Sequence, residues 1–395
     1  MTSRRVRGWI LWRNHPGADP SFQFGTLVFD GDGCKFVPED ANEDRAGEGD
    51  RAEYYVVPGF VDLHSHLAVG PNGPLDDAAI TENAWKEIRA GVLAIREPGS
   101  PKKVPEALLP FDRPIVVRAG RHIALEKRYI RGMAVELAPG EDEEVADALA
   151  EEVAAQAEAG DGWVKLVGDW IDRSNGDNSD LDPLWTAGQL RRAVEVAHDH
   201  GARVAVHTFS SAAIPDVLSA KVDSIEHGSG MSAEQMAEAA EDGIPVVPTL
   251  LQVCKFSEFS AAAHRYPVYA RTMADMFERR HDWFRELMDS GVEILPGSDA
   301  GGYQEHGALI SELQRWVEWG MEPSRALAIG TWRARDFLGL PSLSEGAPAD
   351  AVVFDRDPRV NAGVWSSPVA VIANGHLIHP VGDGLADDLV GRPPN

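Results

Sequence analysis

Eight short apolar segments, separated by stretches of helical periodicity, constrain this chain more than any other feature. They occupy 56–64, 91–97, 114–120, 163–168, 202–207, 222–227, 244–250 and 292–299. The intervening stretches 77–90, 141–160, 186–200, 210–220, 232–242, 270–290 and 306–319 are rich in Ala, Glu, Leu and Arg and read as helices. Eight alternations over ~280 residues are the count and size of a (β/α)8 TIM barrel. A doubly wound open sheet also alternates this way, but no Gly-rich phosphate fingerprint follows an early strand. The two ends of the chain instead alternate short apolar runs with Gly, Asp and Pro turns. They are expected to form one small β-sandwich from two segments, 1–57 and 340–395, flanking a barrel over 58–339.

Charge narrows the partners. Acidic residues outnumber basic ones 63 to 37, a formal net charge of -26. Such a surface repels phosphate backbones and anionic membranes, so neither nucleic acid nor membrane is expected as a partner. The basic start loses its apolar run at Trp12-Arg13-Asn14, short of a signal peptide, and no run approaches the ~20 residues of a membrane span. Cys34 and Cys254 are too few for a disulfide framework or a thiolate metal site. A cytoplasmic protein acting on a small molecule is the expectation, with a homo-oligomer left open.

In a parallel barrel the chemistry sits at the carboxyl ends of the strands. Those ends carry His64 and His66 on strand 1, Lys165 on strand 4, His207 on strand 5, His227 on strand 6 and Asp299 on strand 8. Residues i and i+2 of a strand share a face, so His64 and His66 are expected to point together into the mouth. Imidazole and carboxylate suit Zn²⁺, and also Mn²⁺ or Co²⁺. Each signal alone is weak, since thirteen histidines give about 0.4 chance His-x-His pairs. His198 and His200 form a second such pair, at a helix end before Gly201, where a cation suits the helix dipole. Read alone, Lys165 is a snorkelling or ion-paired lysine, and His207 or His227 a hydrogen-bonded core histidine. His376 and His379 are expected to decorate a surface strand.

The ordered set of motifs resembles the amidohydrolase superfamily. VVPGFVDLHSH is similar to its entry motif, and WVKL, VAVH, SIEHG and LPGSDAG to its strand 4, 5, 6 and 8 motifs. SEGAPADAVVFDRDP and VIANGHLI resemble the return to its β-sandwich. The resemblance is closest to the binuclear, carboxylated-lysine branch that includes prolidase-like and imidazolonepropionase-like enzymes. It implies two divalent cations, most readily Zn²⁺. His64, His66 and Asp299 would hold one, His207 and His227 the other, and a CO₂-derived carbamate on Lys165 would bridge them. The implied nucleophile is a bridging hydroxide, with Asp299 moving its proton to the leaving amine.

One departure bears on substrate. Prolidase-like relatives carry His-Ala-Tyr after strand 5, where this chain has His207-Thr208-Phe209 and no phenol. His122, just beyond strand 3, and Tyr129 on the same loop are the candidates to replace it, with Arg128 beside them. Trp170 is a candidate pocket wall and Arg173 a candidate carboxylate clamp. Asp62 is expected to orient a neighbour rather than ligate, and Glu226 to face outward as a structural residue. The reading is a binuclear hydrolase of an amide or related C–N bond. Its rivals are a mononuclear deaminase or cyclic-amide hydrolase, a lactone or organophosphate ester hydrolase on the same centre, and a non-catalytic scaffold.

Overall fold

The computed structural model describes residues 3–40 and 54–378. Its centre is a parallel array in chain order. The first strand, Phe60–Asp62, lies beside Val92–Glu97, which lies beside Ile115–Arg118. After a break at 119–121 the third strand resumes as His122–Leu125, pairing with the fourth, Trp163–Val167. The fifth, Arg203–Thr208, the sixth, Ser224–His227, and the seventh, Val246–Val247, follow in parallel register. Backbone bonds from Val246 N to Glu293 O and from Leu295 N to Val246 O add an eighth segment. That segment returns to the first strand through Leu63 N to Pro296 O and His66 N to Ala300 O, both 2.8 Å.

Three expected strands differ from their sequence reading. The seventh, expected over 244–250, keeps two residues because Pro245 and Pro248 supply no N–H to a ladder. The eighth, expected over 292–299, is held by isolated bridges around Pro296-Gly297 instead of a regular strand. The first, expected over 56–64, divides at Gly59, where an added Cβ would lie 2.6 Å from the Leu93 side chain. Tyr54–Pro58 then belongs to a different sheet.

That sheet has seven strands and takes both ends of the chain. Its order is His376–Ile378, Ala370–Ala373, Ala351–Phe354, Tyr54–Pro58, Arg4–Trp12, Ser21–Asp30 and Gly33–Pro38. Its strands form one continuous hydrogen-bonded order among the described residues. Val6, Ile10, Leu27, Phe29 and Val56 share one apolar cluster with Val353 and Ile372 of the returning segment and with Leu343, Ala347 and Ala349. His379 lies outside the described residues.

The helices fall close to their periodic segments, among them Asp77–Arg89, Asp142–Ala159, Ala187–Asp199, Ala233–Asp242 and Pro267–Asp289. Thr186 and Ser232 start two of them with capping boxes completed by Gln189 and Gln235. Their inward residues, such as Ile80, Leu149, Leu190, Met236 and Leu313, share one apolar layer with the strands. That layer fixes the strand ends from which the polar residues project.

Candidate metal centre

The polar strand ends converge. His64 and His66 follow the first strand rather than lying on it, yet their rings are 5.3 Å apart. His207 and His227 are 4.7 Å apart between ring centres, and His227 is 5.0 Å from His64. Asp299 Oδ1 lies 3.4 Å from His64 Nε2 and 3.5 Å from His66 Nε2. One ligand atom each from His64, His227 and Asp299 falls within a mutual 4.8 Å. Lys165, on the fourth strand, sits in register with His122 on one side and Ala205 on the other.

The far nitrogens of three rings are already engaged. His66 Nδ1 is 2.8 Å from Gly99 O, which requires it to donate and turns Nε2 toward Asp299 as the nitrogen that would ligate. His64 Nδ1 is 2.7 Å from Glu226 Oε2, and His227 Nδ1 is 2.7 Å from Thr249 Oγ1. Such partners fix tautomer and ring orientation in metal sites. Burial, reinforced by neighbouring cations, holds His64, His122, His207 and His227 well below the usual imidazole range. They are therefore neutral donors of electron pairs at pH 7. Burial also pushes Lys165 down to about 8, and its Nζ has no hydrogen-bond partner among the described residues.

Glu226 corrects its outward reading. It is fully buried and faces inward with Ser224, whose Oγ donates to it at 2.6 Å. Arg96 donates to the other side of the network: Nη2 to Glu226 at 2.5 Å, Nη1 to Ser224 Oγ at 2.9 Å and Nε to Leu63 O at 2.8 Å. Burial opposes ionisation of Glu226, but Arg96 and Lys165 outweigh it and keep the carboxyl below its usual range. Adjacent strand residues normally face apart, and His227 escapes that rule by adopting φ +67. Asp299 (φ +56) and Thr249 (φ +43) are in the same region, so three non-glycine residues at the centre have left-handed backbones. Ser224-x-Glu226 periodicity and the lone Arg96 in an apolar strand were the available signals for this network.

Asp62 orients backbone rather than a ring. Its Oδ1 accepts from His64 N at 3.0 Å and Ser298 N at 3.1 Å, and Ser298 Oγ donates to Oδ2. It thereby clamps the first strand end to the segment that bears Asp299.

A cavity of 1270 Å³ opens above these groups. His122 begins a strand segment instead of sitting in a loop; it is buried, with Nδ1 unpartnered. Its ring lies 5.5 Å from His66 and 5.0 Å from Tyr129. Tyr129 is also 4.8 Å from Trp170 and 6.0 Å from His207, and burial together with Asp299 raises its phenol above the usual range. Phe209 is buried against His207 at 4.4 Å and His227 at 4.7 Å, so it is packing around the histidines. Trp170 and Arg173 line the cavity, Arg173 from an exposed position. Gln252, which sequence reasoning missed, lines it too, with its Oε1 buried and unpartnered.

Arg128 lines the cavity too, and donates to Asp172 Oδ2, Trp170 O and Asp182 O, pinning a neighbouring hairpin. Other histidines are occupied elsewhere. His198 is 2.9 Å from Asp223, and His200 Nδ1 donates to Val196 O at its helix end. His376 stacks on Phe111 at 4.4 Å.

The model of the amidohydrolase family matches residues 110–384, a span that contains Lys165, His207, His227 and Asp299. The uncharacterized protein Rv2915c of Mycobacterium tuberculosis is 42% identical over 327 residues, 82% of this chain and 86% of its own. Among solved structures, a Xaa-Pro dipeptidase with methionine bound in its active site superposes with TM-score 0.75 at 23% identity, covering 96% of this chain and all of that one. A. niger ochratoxinase superposes with TM-score 0.72 at 20% identity, covering 97% and 98%. At these identities the two structures share a fold with this chain.

Proposed function

This chain belongs to the amidohydrolase family, and from that premise we propose that it is a binuclear metal-dependent hydrolase of an amide or related C–N bond. The parallel circuit of strands supports its reading as the family's (β/α)8 barrel. One observation carries the proposal. Three imidazoles have Nδ1 engaged from behind while their rings and Asp299 gather round one mouth, where the buried Lys165 Nζ has no partner among the described residues.

The donor set fits two divalent cations, most readily Zn²⁺ with Mn²⁺ or Co²⁺ as replacements: imidazoles, one carboxylate and a lysine whose amine form is made more accessible by burial. His64, His66 and Asp299 would hold one cation and His207 and His227 the other. Lys165 would first lose its ammonium proton, then as the amine take up CO₂ and release a second proton, so that an anionic carbamate ligand would replace a buried cation. When bound, the cations would polarise the scissile carbonyl and make water a competent nucleophile at neutral pH. Asp299 would accept the proton of that water and return it to the leaving amine. His122 is neutral by burial and Tyr129 stays protonated, so both are donors suited to the substrate carbonyl, in place of the phenol missing at Phe209.

The substrate is proposed to be peptide-like, an N-acyl amino acid or a cyclic amide. The two solved relatives named above are a dipeptidase and an ochratoxinase. A mononuclear deaminase or cyclic-amide hydrolase is the second reading, favoured by the compact trio His64, His227 and Asp299. The test is metal analysis of the purified protein coupled to a panel of dipeptides, N-acyl amino acids, lactams and lactones. Chelator-sensitive cleavage of an amide with two metals per chain is expected. Full activity in metal-free protein, or turnover of lactones alone, would overturn the reading.

A further inference from the structure

We infer that Glu312 is a positioning residue for the metal centre, acting through the turn 249–253 on the imidazole of His227; the inference rests on the metal-dependent reading above.

Glu312 lies on the helix Leu309–Glu318, fully buried and outside the cavity. Its two oxygens are divided between consecutive backbone amides. Leu250 N donates to Oε1 at 2.6 Å and Leu251 N to Oε2 at 2.8 Å, while Trp316 Nε1 donates to Oε1 at 2.8 Å. No ion pair joins it among the described residues. Burial pushes its carboxyl up to about 7 against the pull of these three N–H donors, and packing alone would be served as well by an apolar side chain. What its two oxygens do here is local. The two amides it holds follow directly on Thr249, whose backbone is left-handed at φ +43, a poor conformation for a β-branched residue. Held there, Thr249 puts Oγ1 2.7 Å from His227 Nδ1. His227 is itself at φ +67, so neither end of this contact is fixed by a relaxed strand. Glu312 fixes the turn, the turn fixes Thr249, and Thr249 fixes the angle of the His227 ring.

Gln keeps the size of Glu312 but presents an NH₂ to one of the two amides. Zinc titration of metal-stripped protein, followed by calorimetry, reads the link without turnover. Glu312→Gln is expected to weaken the zinc site that depends on His227 on the order of 10-fold or more, the scale for loss of an orienting partner. Thr249→Val leaves the buried carboxylate in place and should do the same, so the link remains testable if E312Q does not fold. In the double variant the loss should match that of one single variant, because both changes break one chain of contacts. Unchanged zinc affinity in the folded variants, or additive losses, overturns the inference while the metal reading stands. Wild-type protein that takes up no zinc overturns both.

Discussion

Glu226 Oε2 and His64 Nδ1 lie 2.7 Å apart at the bottom of the cavity, and Arg96 holds the other oxygen of the same carboxylate. The carboxylate thus sets both the charge balance below the centre and the tautomer of its first histidine. Glu226→Gln should lower zinc affinity by about 10–100-fold, measured by titration of the metal-stripped protein. Unchanged affinity would reduce Glu226 to a partner for Arg96.

Asp299 is the carboxylate nearest to both His64 Nε2 and His66 Nε2. Asp299→Asn retains an oxygen but loses the proton acceptor, so kcat should fall by roughly 10²–10⁴. The measurement is steady-state turnover at matched metal content. A rate near wild type removes Asp299 from the proton path.

Tyr129 and His122 stand together over the centre, 5.0 Å between rings. If either donates to the developing oxyanion, Tyr129→Phe or His122→Phe should lower kcat by roughly 10²–10³, with metal content unchanged. A change confined to KM would assign the residue to binding alone.

The donor set is legible in the sequence because each donor lies within or just after an apolar segment of the alternating series, a pattern visible without the fold. His64, His66, Lys165, His207, His227 and Asp299 are all brought to one mouth. The supporting residues were hidden for identifiable reasons. Glu226 was assigned outward because strict alternation with His227 was assumed, and the left-handed backbone at His227 breaks that alternation. Thr249 and Glu312 are joined through backbone amides, a link that has no sequence period. The shared sheet of the two chain ends is legible from their turn-rich composition, but its strand order depends on pairings between distant segments that have no sequence period.

Glu97 gives the fold a pH dependence separate from catalysis. It is buried, and burial pushes its carboxyl up to about 8 despite a backbone bond from Ala68 N. Its folded-state value exceeds the unfolded one, so its contribution is fully present below about 4.5 and lost as pH rises through 8. Thermal denaturation of metal-free protein should show Glu97→Gln gaining on wild type between pH 5 and 8. A constant difference across that range would contradict the assignment.

The most direct test of the binuclear centre is metal stoichiometry in Lys165→Ala. An ammonium cannot ligate, and only the neutral amine, favoured here by burial, can take up CO₂. Wild-type protein should carry two divalent cations per chain. Lys165→Ala should lose stoichiometry and turnover together, and added acetate or propionate should restore part of both by supplying a carboxylate in the space left free. Lys165→Arg should resist that rescue, since its guanidinium stays charged and fills the space. A Lys165→Ala protein that keeps two metals and normal turnover would contradict the bridge and leave the mononuclear reading in its place.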